Sequence, residues 1–326
     1  METVMSNIYY KSILDRLGST PVLKIQYDEI PQIQLFCKME FTNPTGSVKD
    51  RAASYILKTV LEKGIIDQDT MIIESSSGNM GIALAAYAKR YGLNFTCVID
   101  PCILQLNKMI MKSYGANYIQ VTEPDEKGGY LLNRIREVER YLDTHPNTYW
   151  VNQYANPLNA AAYYYSIGRE LCDEIPRIDY LFIGVSSGGT ISGISRKIKE
   201  ISPKTKVIAV DITGSVIFGG KSSKRLIPGI GSSKVPEILK EARIDDVIMI
   251  DETDTIHACR EMMSRYQLFV GGSSGAVFSA VRRYFADYQS PGEINVATIL
   301  PDRGERYIST VYNNEWVMSN YNILIT

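Results

Sequence analysis

Lys49 is the residue whose surroundings suggest chemistry, inside NPTGSVKDR (Asn43 to Arg51). A Pro-Thr-Gly turn leads into SVKDRAASYILKTVLEKG. There Ser47 is the candidate N-cap, and Ala52, Ala53, Ile56, Leu57 and Val60 make an apolar helical stripe. Lys49 therefore falls in the first helical turn, where the dipole disfavours an ammonium. An isolated lysine beside Asp50 is ordinarily a surface residue. The chemical alternative is an amine made nucleophilic by desolvation or by a cationic environment, as a Schiff-base lysine is. Three small-residue turns accompany it. ESSSGNMG (Glu74 to Gly81) offers hydroxyls and N–H groups at a helix start, which suits a carboxylate or phosphate. GVSSGGTISG (Gly184 to Gly193) offers an anion cradle with the hydroxyls of Ser187 and Thr190. It matches neither the P-loop nor the GxGxxG pattern. GGSSGA (Gly271 to Ala276) is a third such turn, weak by itself.

The elements that must position these turns alternate. MIIESSSGNMGIALAAYAKRYG reads as strand, turn, helix. So do FTCVID with NKMIMKSYGA, YIQVT with GYLLNRIREVERYL, and YLFIGVSSGG with TISGISRKIKEI; VIAVDI follows as a strand. Short strands separated by helices imply parallel pairing and a doubly wound α/β fold. Ligands in such folds bind beyond the carboxyl ends of the strands, where these turns lie. A length of 326 residues suggests two domains. VNQYANPLNAAA, near Val151, reads as a loop between the halves.

Composition narrows the rest. A net charge of −1 gives no reason to expect nucleic acid or an anionic membrane as partner. No apolar run approaches a membrane span, and Met1 to Leu17 has no secretory pattern, so a cytoplasmic protein is expected. The cysteines at 37, 97, 102, 172 and 259 include no CxxC pair, which argues against disulfides and structural zinc; Cys37 and Cys97 read as core. His145 and His257 are the only histidines and have no motif company, so neither a Ser-His-Asp hydrolase nor a metal centre is expected.

Taken in order, the four turns resemble the cysteine synthase and cystathionine β-synthase family of fold-type II enzymes that use pyridoxal 5′-phosphate. The likeness runs from LGSTPVLKI to LPDRGERYIST, and KMEFTNPTGSVKDRAA is close to the family's lysine signature. The resemblance implies two doubly wound α/β domains of the tryptophan synthase β-like kind. The smaller, mobile one spans residues 45–155; the larger, cofactor-binding one takes 1–44 with 156–326. It implies that Lys49 carries the cofactor. Ser186, Ser187, Gly188, Gly189 and Thr190 would hold its phosphate, Asn79 its 3′-oxygen, and Ser273 would face the pyridine nitrogen. Ser76, Ser77, Asn79 and Gln153 would hold the substrate carboxylate. A neutral hydroxyl at the ring nitrogen makes a weaker electron sink, which favours β-elimination over long-lived carbanion chemistry. Homodimerisation is implied by the same analogy.

The reaction implied is β-replacement on an activated L-serine. O-acetylserine with sulfide is one form. EPDEKGGYLLNRI, WVNQYANPLN, VDITGSVIFG, LIPGIGSSKVPEIL and TILPDRGERY are more similar to another branch. That branch joins O-phospho-L-serine to L-glutamate, releases phosphate and yields N-(2-amino-2-carboxyethyl)-L-glutamate for 2,3-diaminopropionate and siderophore biosynthesis. Met80 and Ser186 depart from the ordinary cysteine synthase pattern. Arg134 shares a helical face with Leu131 and Val138, and an inward arginine needs an anion. The phosphate leaving group would serve, with Tyr154 as a second donor; an interdomain salt bridge or a solvated guanidinium is the alternative. A serine or threonine dehydratase and a non-catalytic, cofactor-bearing partner protein are the remaining readings.

Overall fold

The computed structural model describes residues 9–126, 128–288 and 292–323. Met1 to Ile8 of the N-terminal stretch, and Lys127 within EPDEKGGYLLNRI, lie outside the described residues. The chain opens with β1 (Val22–Gln26) and β2 (Ile33–Lys38), an antiparallel pair. After α1 (Lys49–Glu62) come β3 (Met71–Ser75), α2 (Asn79–Tyr91), β4 (Asn94–Ile99), α3 (Gln105–Ser113), β5 (Asn117–Gln120), α4 (Leu131–Thr144) and β6 (Thr148–Trp150). These four strands form a parallel sheet in the order β5-β4-β3-β6.

The chain continues through α5 (Pro157–Tyr165), α6 (Ile167–Glu174), β7 (Tyr180–Gly184), α7 (Gly189–Ile201), β8 (Lys206–Ile212) and β9 (Asp246–Ile250). It ends with α8 (Glu252–Tyr266), α9 (Gly272–Tyr284), β10 (Ile294–Ile299) and α10 (Asn314–Tyr321). The second sheet runs β1-β2-β10-β7-β8-β9, and only β1 is antiparallel to its neighbour. Both sheets are doubly wound α/β layers, as the alternation implies. Every strand–turn–helix unit expected from sequence is present.

Two local expectations are corrected. Ser47 does not cap α1: Val48 is the N-cap and is already helical, because Ser47 makes a β-bridge with Asp302. The Ser47 hydroxyl still accepts the Lys49 N–H at 3.3 Å. VNQYANPLNAAA is a loop only as far as Asn156. The Asn156 side chain accepts from Leu158 N at 3.0 Å and Pro157 takes the first turn, so the remainder begins α5.

One apolar core runs under both sheets, from Ile72 and Leu84 through α1 to Ile183 and Ile194. A second lies on the other face of the larger sheet, around Phe182, Val210 and Phe278. Beside α1 a buried ionic cluster joins β2, α1 and α6. Arg51 pairs with Glu40 at 2.7 Å and Glu170 at 2.5 Å, and Lys38 reaches Glu170 and Glu174 at 2.8 and 2.7 Å. Breaking one partner of such a cluster leaves a buried charge unpaired, so the start of α1 is held against the larger sheet.

Candidate active site

The turn after β3, the turn after β7, the start of α9 and the start of α1 converge on one cavity of about 380 Å³. It lies beyond the carboxyl ends of β3 and β7, one from each sheet. Lys49 is the first residue of α1 and lines the cavity, with Nζ donating to Ser187 Oγ at 3.3 Å. Burial lowers its pKa to about 8, and the Asp302 carboxylate partly opposes that shift.

Ser186, Ser187, Gly188 and Thr190 line the cavity at the start of α7. Gly188 has φ +84°, a left-handed turn that brings the chain into the helix with its first N–H groups free of intrahelical acceptors. Gly189 faces away: a Cβ there would lie 2.4 Å from Asn159 Oδ1. The Ser186 hydroxyl donates to the Gly231 carbonyl at 3.1 Å. Ser273 lines the cavity from the first turn of α9 and is 4% exposed.

The opposite wall belongs to the smaller sheet. Ser76 Oγ accepts from Gly78 and Gly81 N–H at 3.3 and 3.1 Å, which pins the turn into α2. Ser77 Oγ donates to Asp100 at 2.7 Å and accepts from Arg134 at 2.8 Å. Asn79 Nδ2 donates to Asp302 Oδ2 at 2.7 Å. Gln153 donates its side-chain amide to Ser75 O at 3.2 Å and its backbone N–H to Glu74 Oε2 at 3.2 Å. Tyr154 lines the cavity beside it. Arg134 faces inward from α4, 11% exposed, with Nε 3.2 Å from Asp100. Both partners stand on the smaller sheet's side of the cavity, so this pair is not an interdomain bridge.

All the residues expected from sequence thus surround one cavity except Gly189, which supports its wall. Four charged residues were not anticipated. Asp100 ends the FTCVID strand, where the strand-end rule could have found it. Arg225 lines the cavity from the loop between β8 and β9, which carries no periodic signal. Asp302 and Glu74 lie fully buried behind the site. Burial pushes the Glu74 carboxyl up to about 7.

Pyridoxal 5′-phosphate fits these residues. The amine of Lys49 stands next to the hydroxyl of Ser187, at a helix start suited to a phosphate. Among the described residues Asp100 is the one carboxylate lining the cavity, and it is engaged with Ser77 and Arg134 on the other wall. Among the described residues no cluster of His, Cys, Asp and Glu could hold a metal, and no helix is long and apolar enough to cross a membrane.

Comparison with known proteins agrees with this geometry. An O-acetylserine dependent cystathionine β-synthase from Helicobacter pylori superposes with a TM-score of 0.87 at 32% identity, covering 94% of this chain and 100% of that one. A hydrogen sulfide-producing enzyme from Fusobacterium nucleatum gives 0.85 at 27%, covering 92% and 100%. An O-ureido-L-serine synthase gives 0.84 at 28%, covering 96% of each chain. Residues 13–302 match the family described as pyridoxal-phosphate dependent enzyme, and the chain belongs to that family.

Proposed function

We propose that this protein catalyses β-replacement on O-phospho-L-serine, with L-glutamate as the nucleophile, giving N-(2-amino-2-carboxyethyl)-L-glutamate and phosphate. The observation that carries the reading is Arg134, nearly buried in the cavity wall beside Ser77 and Tyr154, where a neutral leaving group would need no guanidinium. The bound cofactor supplies the electron withdrawal that lets the α-proton and the β-substituent depart. The protein's residues do the rest. Lys49 would anchor the cofactor and, once its amine is free, would take the α-proton and return it at the end. An amine brought to about 8 is partly neutral near pH 7 and suits that work. Ser187, Thr190 and the N–H groups at the start of α7 hold the cofactor phosphate. Ser273 faces the ring nitrogen as a neutral partner, and Asn79 presents its second amide N–H to the ring oxygen. Ser76, Ser77 and Gln153 orient the substrate carboxylate, while Arg134 and Tyr154 hold the departing phosphate.

A second reading is favoured by one contact. Asp100 already neutralises Arg134, so the pocket would also accept an uncharged leaving group, as in a cysteine synthase using O-acetyl-L-serine and sulfide. The relative from Helicobacter pylori is described as O-acetylserine dependent. Absorbance of the holoenzyme separates the two. The cofactor band should shift with O-phospho-L-serine, return on adding L-glutamate and release phosphate. Lys49→Ala should not turn over, and Arg134→Ala should lose the preference for phosphoserine over acetylserine. A shift given only by O-acetyl-L-serine and reversed by sulfide but not by glutamate would establish the second reading.

A further inference from the structure

With the cofactor assigned to Lys49 and the α7 turn, the charged side chains left in the cavity wall among the described residues are Arg134, Asp100 and Arg225. The first two form an ion pair, with Nε 3.2 Å from the carboxylate. Arg225 has no such counter-charge. Its guanidinium is half-buried in the loop between β8 and β9, donating from Nη1 to the Gly214 carbonyl and from Nη2 to Ser233 Oγ at 2.9 Å. Among the described residues no carboxylate comes within ion-pair distance of it. Burial accordingly pulls its pKa below the usual arginine value, with Asp211 and Glu252 opposing that only at longer range. A desolvated guanidinium with neutral partners retains its pull on a passing anion.

Its place in the wall decides which anion. Arg225 opens the segment Arg225–Ser233, which lines the cavity on the larger sheet's side. Arg134, Ser76 and Ser77 line it from the smaller sheet's side, where the first amino acid is assigned. Gly231 lies directly against Arg225: a Cβ there would be 3.3 Å from Nε, so the missing side chain leaves the guanidinium its place beside the segment.

We infer that Arg225 is the subsite for a carboxylate of the second amino-acid substrate, selecting a dicarboxylic nucleophile over its uncharged amide. The inference rests on the reading of the protein as a glutamate-using β-replacement enzyme and names the residue that would enforce it.

The two half-reactions test it separately, using holoenzyme and cofactor absorbance. Arg225→Gln should leave the shift produced by O-phospho-L-serine in place, which also shows that the variant is folded. The L-glutamate concentration giving half-maximal reversal should rise about 10- to 100-fold, as expected for losing a charge-assisted hydrogen bond. The wild-type preference for L-glutamate over L-glutamine should vanish in Arg225→Gln and return in part in Arg225→Lys. Unchanged glutamate dependence in Arg225→Gln would overturn the assignment alone, and so would equal loss of both half-reactions. A wild-type enzyme reversed by sulfide and indifferent to glutamate would overturn the functional reading and this subsite with it.

Discussion

At the scale of single residues, the chemistry rests on an amine whose protonation is set by two opposed effects. Burial lowers the Lys49 pKa, and the Asp302 carboxylate raises it, leaving it at about 8. Asp302 is fully buried, with Oδ2 accepting from Asn79 and from the Tyr307 hydroxyl, each at 2.7 Å. Imine formation needs the neutral amine, so the rate at which apoenzyme captures pyridoxal 5′-phosphate should rise with pH through about 8. In Asp302→Asn the opposing charge is gone, and the midpoint should fall below the wild-type value while Asn79 keeps a hydrogen-bond acceptor. An unchanged midpoint would mean that Asp302 is already protonated in the wild type, a direction its own burial favours. Sequence made Lys49 and the hydroxyl-rich turns legible because each stands in a compact local pattern. Asp302 was hidden although LPDRGERYIST was plain to read. Its meaning comes from a bridge to Ser47, 255 positions earlier in the chain (302 − 47), which no local pattern records.

At the scale of elements, the phosphate cradle is only as well placed as α7, and α7 is seated by close backbone packing on α5. A Cβ at Gly193 would lie 2.2 Å from Ala160 O and 2.7 Å from Tyr164 N, both backbone atoms that cannot swing aside. Gly193→Ala must therefore push the two helices apart. The expected cost is about 1–3 kcal/mol by overpacking, with weaker cofactor binding because Ser187 and Thr190 ride on the same helix start. Thermal unfolding of apoenzyme and cofactor titration measure the two effects; an unchanged melting temperature with normal cofactor affinity would refute the seating argument. The units followed by glycine turns were readable because periodicity switches from strand to helix across each turn. The antiparallel β1–β2 pair, the three-residue β6 and the half-exposed β9 were not assigned, and they lack that switch. The Asn-Pro signal that starts α5 was present in VNQYANPLNAAA, but a proline after a polar loop suits both a loop and a first helical turn.

At the scale of the whole molecule, placing an active site between two sheets buries carboxylates, and the fold's stability should record it. Glu74 is fully buried at the end of β3, where its carboxylate accepts the N–H groups of Ser75 and Gln153 at 2.9 and 3.2 Å. Desolvation outweighs those bonds and the charge of Arg134, lifting its pKa from 4.5 to about 7. Asp50, buried beside Lys49, is lifted by the same cause from 3.8 to about 7 against its bonds from Thr45. A folded pKa above the unfolded one means that the native state holds its proton more tightly. The stabilisation is therefore complete below pH 4.5 for Glu74 and is lost as pH rises through about 7. At ~1.4 kcal/mol per pH unit, the loss for Glu74 is at most about 3.5 kcal/mol. Glu74→Gln mimics the protonated acid and has nothing to lose over that interval. Its melting temperature should fall less than the wild type's between pH 5 and pH 8, with Asp50 supplying the decline that remains. Parallel curves for the two proteins would show that Glu74 ionises at its ordinary pH, and that the loop carrying Gln153 is held by a full carboxylate throughout.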